Sequence, residues 1–317
     1  MKHPDESPET PRVGADSPLA RELSDLTARR RILEQPAPPL PARPRVFTVS
    51  NQKGGVGKTT TTVNIAAALA RFGARVLVID LDPQGNASTA LGVPHHGEIP
   101  SIYDVLVEGT PLADVIQKST EDGELYCAPS NLDLAGAEIQ MFGIDRREFL
   151  LRDALERLFN DSENFYHYVF IDCPPSLGLL TINAFSAARE VLIPIQCEYY
   201  ALEGLSQLLS TIEMINKGLN PYLEVTTILL TMFDTRTRLA HEVAADVRTH
   251  FPQQVLQAVI PRAVRVSEAP SYSQTVVSYD TMSVGSISYI EAAAEIAQRG
   301  APGTTHTTTQ EATDGNH

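Results

Sequence analysis

The residues best suited to chemistry lie in one short run, SNQKGGVGKTTTT, from Ser50 to Thr62. Its glycines, Gly54, Gly55 and Gly57, let a backbone wrap closely enough for consecutive N–H groups, that of Val56 included, to point at phosphate oxygens. Lys58 supplies positive charge for the β- and γ-phosphates, the Thr59 hydroxyl is placed to coordinate Mg2+, and Thr60 helps to hold the α-phosphate. The usual spacing G-x-x-x-x-G-K-[ST] fails at its first position, where Gln52 stands instead of glycine and a second lysine, Lys53, follows. Phosphate binding within one subunit is complete without Lys53, which leaves that lysine no task in its own chain.

A magnesium nucleotide site also needs carboxylates on neighbouring strands. VLVIDLDPQGN ends a strand with Asp80 and Asp82, and YVFIDCPPS ends another with Asp172. Buried carboxylates beside phosphates are costly without a cation. Asp172 reads as a Walker B aspartate acting on the metal through water. Asp80 and Asp82 point to the same side of their strand. The later one reaches past its end, so Asp82 is assigned to positioning the attacking water and Asp80 to supporting the metal shell. A guanine-reading N-K-x-D motif is missing, since the nearest match, NKGL at Asn216, lacks the aspartate; ATP is favoured over GTP.

Such a loop must leave a strand and open a helix. RVFTVS precedes it, and KTTTTVNIAAALARFG follows with Ile65, Ala66, Leu69 and Phe72 at helical spacing and Gly73 suited to a C-terminal cap. ARVLVIDLD, YHYVFIDCPP, REVLIPIQ and EVTTILLTMFD are continuous apolar runs, as expected of strands buried on both faces. LLTINAFSAA, ALEGLSQLLSTIEMINKG and RLAHEVAADVRTHF read as helices between them. The alternation predicts a doubly wound α/β fold, a mostly parallel sheet flanked by helices, with ligands at the carboxyl ends of the strands.

The ends read differently. Nine of the 22 prolines fall in residues 1–44, which predicts an extended or disordered arm. Within it LARELSDLTARRRILE, Leu19 to Glu34, has apolar residues at helical spacing, either as a solvated helix or as one that docks on a partner. Residues 45–300 form the expected ATPase domain, and 301–317, rich in Thr and Gly, read as a disordered tail. The formal net charge of −14 argues against a surface that coats nucleic acid all round, but not against a local basic patch. Cys127, Cys173 and Cys197 show no metal spacing and read as buried apolar residues in a reducing compartment. With no secretory leader and no apolar run of about 20 residues, the expected location is cytoplasmic, without stable membrane insertion.

KGGVGKTTT, DLDPQGNAS, IDCPPSLGLLTINA, CEYYALEGLSQLL, LLTMFDTRT and IPRAVRVSEAPS together resemble the ParA/Soj chromosome-partitioning ATPases, a branch of the deviant Walker A group, from about Arg45 to Gly300. The resemblance implies an ATP-dependent homodimer that sandwiches the nucleotides. Lys53 would reach across to the partner's phosphates, and Gly54 would lie against the facing subunit. It implies that the ATP dimer binds double-stranded DNA without sequence preference on the nucleoid, and that a ParB-like centromere-binding protein stimulates hydrolysis. The corresponding DNA-contact positions are Arg236 and Arg265, with Arg238 and Arg262 beside them. Five arginines face four acids between Asp234 and Glu268. Pro261 and Arg262 also follow a strand where the family packs adenine, so Arg262 has two candidate roles. The arm before Arg45 is longer than in minimal members and inherits no function from the family; a polar or cell-division protein is its expected kind of partner. Plasmid partitioning remains an alternative, as does a MinD-like division-site regulator. The latter needs a basic amphipathic helix at the C-terminus, where this chain has EAAAEIAQRGAPGTTHTTTQ.

Overall fold

The computed structural model describes residues 18–161 and 165–300, with side chains from residue 23 onward. The predicted tail 301–317 and the first 17 residues of the arm lie outside the described residues. The chain divides into two units, Met1–Pro36 and Ala37–His317. In the first, an α-helix runs Pro18–Arg29 and a 3-10 turn continues it over Arg30–Glu34. Residues 37–44, counted with the arm from sequence, fall in the second unit, where Pro41 is buried.

That second unit is built on eight strands: β1 (Arg45–Val49), β2 (Arg75–Asp80), β3 (Gln117–Lys118), β4 (Glu124–Ala128), β5 (Tyr168–Asp172), β6 (Glu190–Gln196), β7 (Glu224–Phe233) and β8 (Val255–Pro261). They form one sheet in the order β3-β4-β2-β5-β1-β6-β7-β8. Every pairing is parallel except the short β3–β4 pair at one edge, so the mostly parallel doubly wound fold holds. β5 is buried along its whole length, as its unbroken apolar run requires. Phe47 and Phe170, both fully buried, stack on neighbouring strands with ring centroids 5.1 Å apart.

Helix Lys58–Arg71 packs on one face of the sheet beside helix Val284–Arg299. The five residues Ala66 to Ala70 are buried, and four are alanines, which let the helices and sheet approach closely. Gly73, with φ 87°, ends the helix in the left-handed conformation, and the Ala74 N–H closes back on the Leu69 carbonyl at 3.1 Å.

Register places the chemistry. In the ladder Val49 pairs with Asp172, and Asp172 with Asp80, so the carboxyl ends of three adjacent strands finish level. The phosphate loop leaves β1, beside β5, whose last residue is Asp172.

Candidate nucleotide and magnesium site

The loop runs from Ser50 to Gly57 and delivers Lys58 as the first residue of the helix. Gly55 and Gly57 have φ of 75° and 87°, a region where a side chain would be strained, so the backbone itself demands glycine at both. Gly54 is different: its φ is not left-handed, and a Cβ there would meet nothing within 4 Å. Val56 is buried beneath the loop. Lys58 is almost fully buried, and its Nζ donates to the Lys53 carbonyl at 3.3 Å, spanning the mouth of the loop. Burial lowers its pKa, while the charges of Asp172, Cys173 and Asp82 pull it back up. Thr59 and Thr60, the next two helical residues, are half-buried.

Asp172 is completely buried and accepts from the Thr62 hydroxyl at 3.0 Å through Oδ1, while its Oδ2 has no hydrogen-bond partner among the described residues. Burial raises its pKa, Asp80 raises it further, and the Thr59 and Thr62 hydroxyls partly oppose this. An orphaned, buried carboxylate oxygen beside the lysine and threonine of a phosphate loop fits a hard cation such as Mg2+, which takes oxygen ligands and water. The residues able to hold it are Thr59 and Asp172.

Asp80 is equally buried but its oxygens are in use. Oδ1 accepts the Asp82 N–H at 3.2 Å, and Oδ2 accepts the Ser88 N–H at 2.9 Å and the Ser88 hydroxyl at 2.7 Å. It holds the segment that carries Asp82, so it can bear on a metal only through its neighbours. Asp82 is half-exposed, and its Oδ1 accepts the Gln84 N–H at 3.0 Å.

Lys53 is exposed, but its Nζ forms an ion pair with Glu198 at the end of β6, and the other Glu198 oxygen accepts from Gln196. Lys53, expected from sequence to have no task in its own chain, thus makes two contacts there. Its carbonyl serves Lys58 and its ammonium serves Glu198, because β6 ends beside the loop. The pair is nearly half-exposed on both sides, which makes it weak and exchangeable.

The arginines also differ from a bare basic patch. Arg236 pairs with Asp234 at 2.8 Å, Arg238 with Glu242 at 2.6 Å, and Arg265 with Glu268 at 3.1 Å and Asp280 at 3.6 Å. Arg262 is exposed just after β8, its N–H bonded to the Phe233 carbonyl at 3.2 Å, and Pro261 is the last residue of that strand. All three cysteines are buried and free. Sequence reasoning missed Thr62, Ser88 and Glu198. Thr62 was within reach, since it lies one helical turn after Lys58 and so on the same face; Glu198 carried no local signal.

A family described as an AAA domain matches residues 44–225. The chain is 49% identical over 258 residues to the chromosome partitioning protein ParA of Myxococcus xanthus, covering 81% of this chain and 89% of that one. The chain belongs to the ParA/Soj family. It is also 47% identical to the sporulation initiation inhibitor protein Soj of Bacillus subtilis, over 81% of this chain and 99% of that one. Among solved structures, the ParA/Soj fold seen here matches a cobyrinic acid a,c-diamide synthase from Mycobacterium smegmatis, bound to an ATP analogue and magnesium. That match has a TM-score of 0.68 and 38% identity, over 80% of this chain and 95% of the other. Among the described residues no helix is long and apolar enough to cross a membrane.

Proposed function

We propose that this chain is a chromosome-partitioning ATPase that uses ATP and Mg2+ as a switch: the ATP-bound form pairs with a second copy and holds DNA, and hydrolysis, stimulated by a ParB-like partner, releases it. The nucleotide chemistry rests on Lys58 at the helix N-terminus and on the unpartnered Asp172 oxygen. Magnesium, when bound, neutralises phosphate charge. Backbone N–H groups of residues 54–58 and the helix N-terminus orient the phosphates, Lys58 balances the β- and γ-oxygens, and Thr60 steadies the α-phosphate. Asp82 orients the attacking water. Pro261 and Arg262 line the adenine.

The single observation that carries the pairing with a second subunit is Gly54. The chain's own backbone and packing would accept a Cβ there, in contrast to the left-handed Gly55 and Gly57. A glycine unused by its own chain fits a site where another molecule comes close. Lys53, next to it, is then free to exchange Glu198 for the partner's phosphates and supply charge in trans. DNA binding through Arg236, Arg238 and Arg265 requires their acid partners to give way to phosphates, which makes it weak singly and salt-sensitive in a dimer.

ATP turnover measured alone, with DNA, with the ParB-like partner and with both tests this function. The expected pattern is slow hydrolysis alone and strong stimulation with both. Equal rates in all four mixtures would reject the switch.

A further inference from the structure

Two consecutive residues of β7 support the phosphate loop, although alternation along a strand sends consecutive side chains to opposite faces. Thr231 is buried and its hydroxyl donates to the Val56 carbonyl at 2.8 Å. The next residue, Met232, places its Cε 4.0 Å from where a Cβ on Gly57 would stand. Both reach the loop because Met232 has a φ of 50°, in the left-handed region, inside a strand. The register of β7 against β8 slips at the same place, between Leu230 and Phe233. Among the described residues three that are not glycine have positive φ, namely Arg146, Met232 and Ser273, and of these Met232 alone lies in a strand.

A bulky residue in this conformation persists only where its surroundings enforce it, and bulges beside sites re-aim side chains. Here the re-aimed side chain is a flexible thioether, able to fill an irregular gap against a backbone. The backbone in question is Gly57, itself left-handed, which immediately precedes Lys58 and sets where the helix starts.

We propose that Met232 is a positioning residue for the bound nucleotide. Its left-handed backbone aims the thioether at the Gly57 turn, its Cε 4.0 Å from where a Cβ would stand, while Thr231 pins Val56, so the β7 bulge sets the position of the loop from which Lys58 and Thr59 act. This rests on the phosphate-loop reading above.

Met232→Gly removes the thioether while keeping, and relaxing, the left-handed backbone. The test measures Mg-ATP affinity, KM and kcat, and Tm, in the full chain. In Met232→Gly, KM and the dissociation constant for Mg-ATP rise by about tenfold, less than the roughly 100-fold that a 1 Å misplacement can cost, while Tm is unchanged or higher. Met232→Leu, which restores bulk, recovers affinity to within about twofold, and Thr231→Val weakens it in the same direction as Met232→Gly. Wild-type affinity in both Met232→Gly and Thr231→Val overturns the proposal. So does a fall in Tm with affinity unchanged, which would make Met232 a packing residue only. If the wild type itself fails to bind Mg-ATP, the phosphate-loop reading fails first and takes this one with it.

Discussion

Asp80 and Asp172 face each other as register partners on β2 and β5, both completely buried, yet one is satisfied and the other is not. Asp80 accepts three hydrogen bonds from Asp82 and Ser88, whereas Asp172 keeps one oxygen without a partner. Two carboxyls so placed cannot both carry charge cheaply, and the unsatisfied one is where a cation gains most.

Burial raises Asp172 to about 8 and Asp80 to about 6. The unfolded chain releases these protons at about pH 4. Between those limits the nucleotide-free folded protein binds more protons than the unfolded one, so this pair makes stability fall as pH rises. Asp172→Asn, which keeps a neutral side chain at every pH, gains Tm over the wild type at pH 8, and the gain shrinks towards pH 5. A Tm difference that stays flat across that range contradicts a proton held on Asp172.

Gly54→Ala adds a Cβ that meets nothing within 4 Å and needs no left-handed backbone, so its Tm stays at the wild-type value. In light scattering with Mg-ATP it remains a monomer where the wild type dimerises. Dimerisation at wild-type strength would remove Gly54 from the interface.

Lys53→Ala breaks only a half-exposed pair with Glu198 within its own chain. ATP affinity of the monomer therefore stays within about threefold, while partner-stimulated turnover drops by roughly 100-fold, the scale of losing one charge-stabilising donor. Normal stimulated turnover in this variant rules out delivery of Lys53 in trans.

Asp82→Ala keeps ATP and DNA binding and lowers turnover by about 100-fold or more, as loss of a group that orients the attacking water does. It accumulates as the ATP dimer on gel filtration. Wild-type hydrolysis in the presence of DNA and partner would reassign the role.

Arg236→Glu with Arg265→Glu leaves the ATP dimer intact and abolishes DNA co-sedimentation. The wild type loses DNA steeply as salt rises, without preference among sequences. Retained binding in the double variant moves the DNA surface elsewhere.

The centre of the fold was legible because its signals are local. Apolar runs ending in Asp80 and Asp172 and a glycine-rich stretch opening a helix occupy contiguous residues, and β1, β2, β5 and helix Lys58–Arg71 stand where those patterns put them. The β3–β4 edge was not, since Gln117–Lys118 is two polar residues with no alternation to read. The Lys53–Glu198 pair joins positions 145 apart, and the left-handed Met232 depends on a bulge between neighbouring strands, so neither leaves a trace in nearby spacing. The acids that pair with the arginines were visible: Glu242 lies four residues after Arg238 and Glu268 three after Arg265, both spacings that bring side chains together on a helix.

In the proposed switch, nucleotide state decides whether the protein holds DNA. Co-sedimentation of the full chain with duplex DNA of random sequence, compared with Mg-ATP, with Mg-ADP and without nucleotide, tests it most directly. Binding with Mg-ATP alone is the predicted result; equal binding in all three, or none in any, contradicts it.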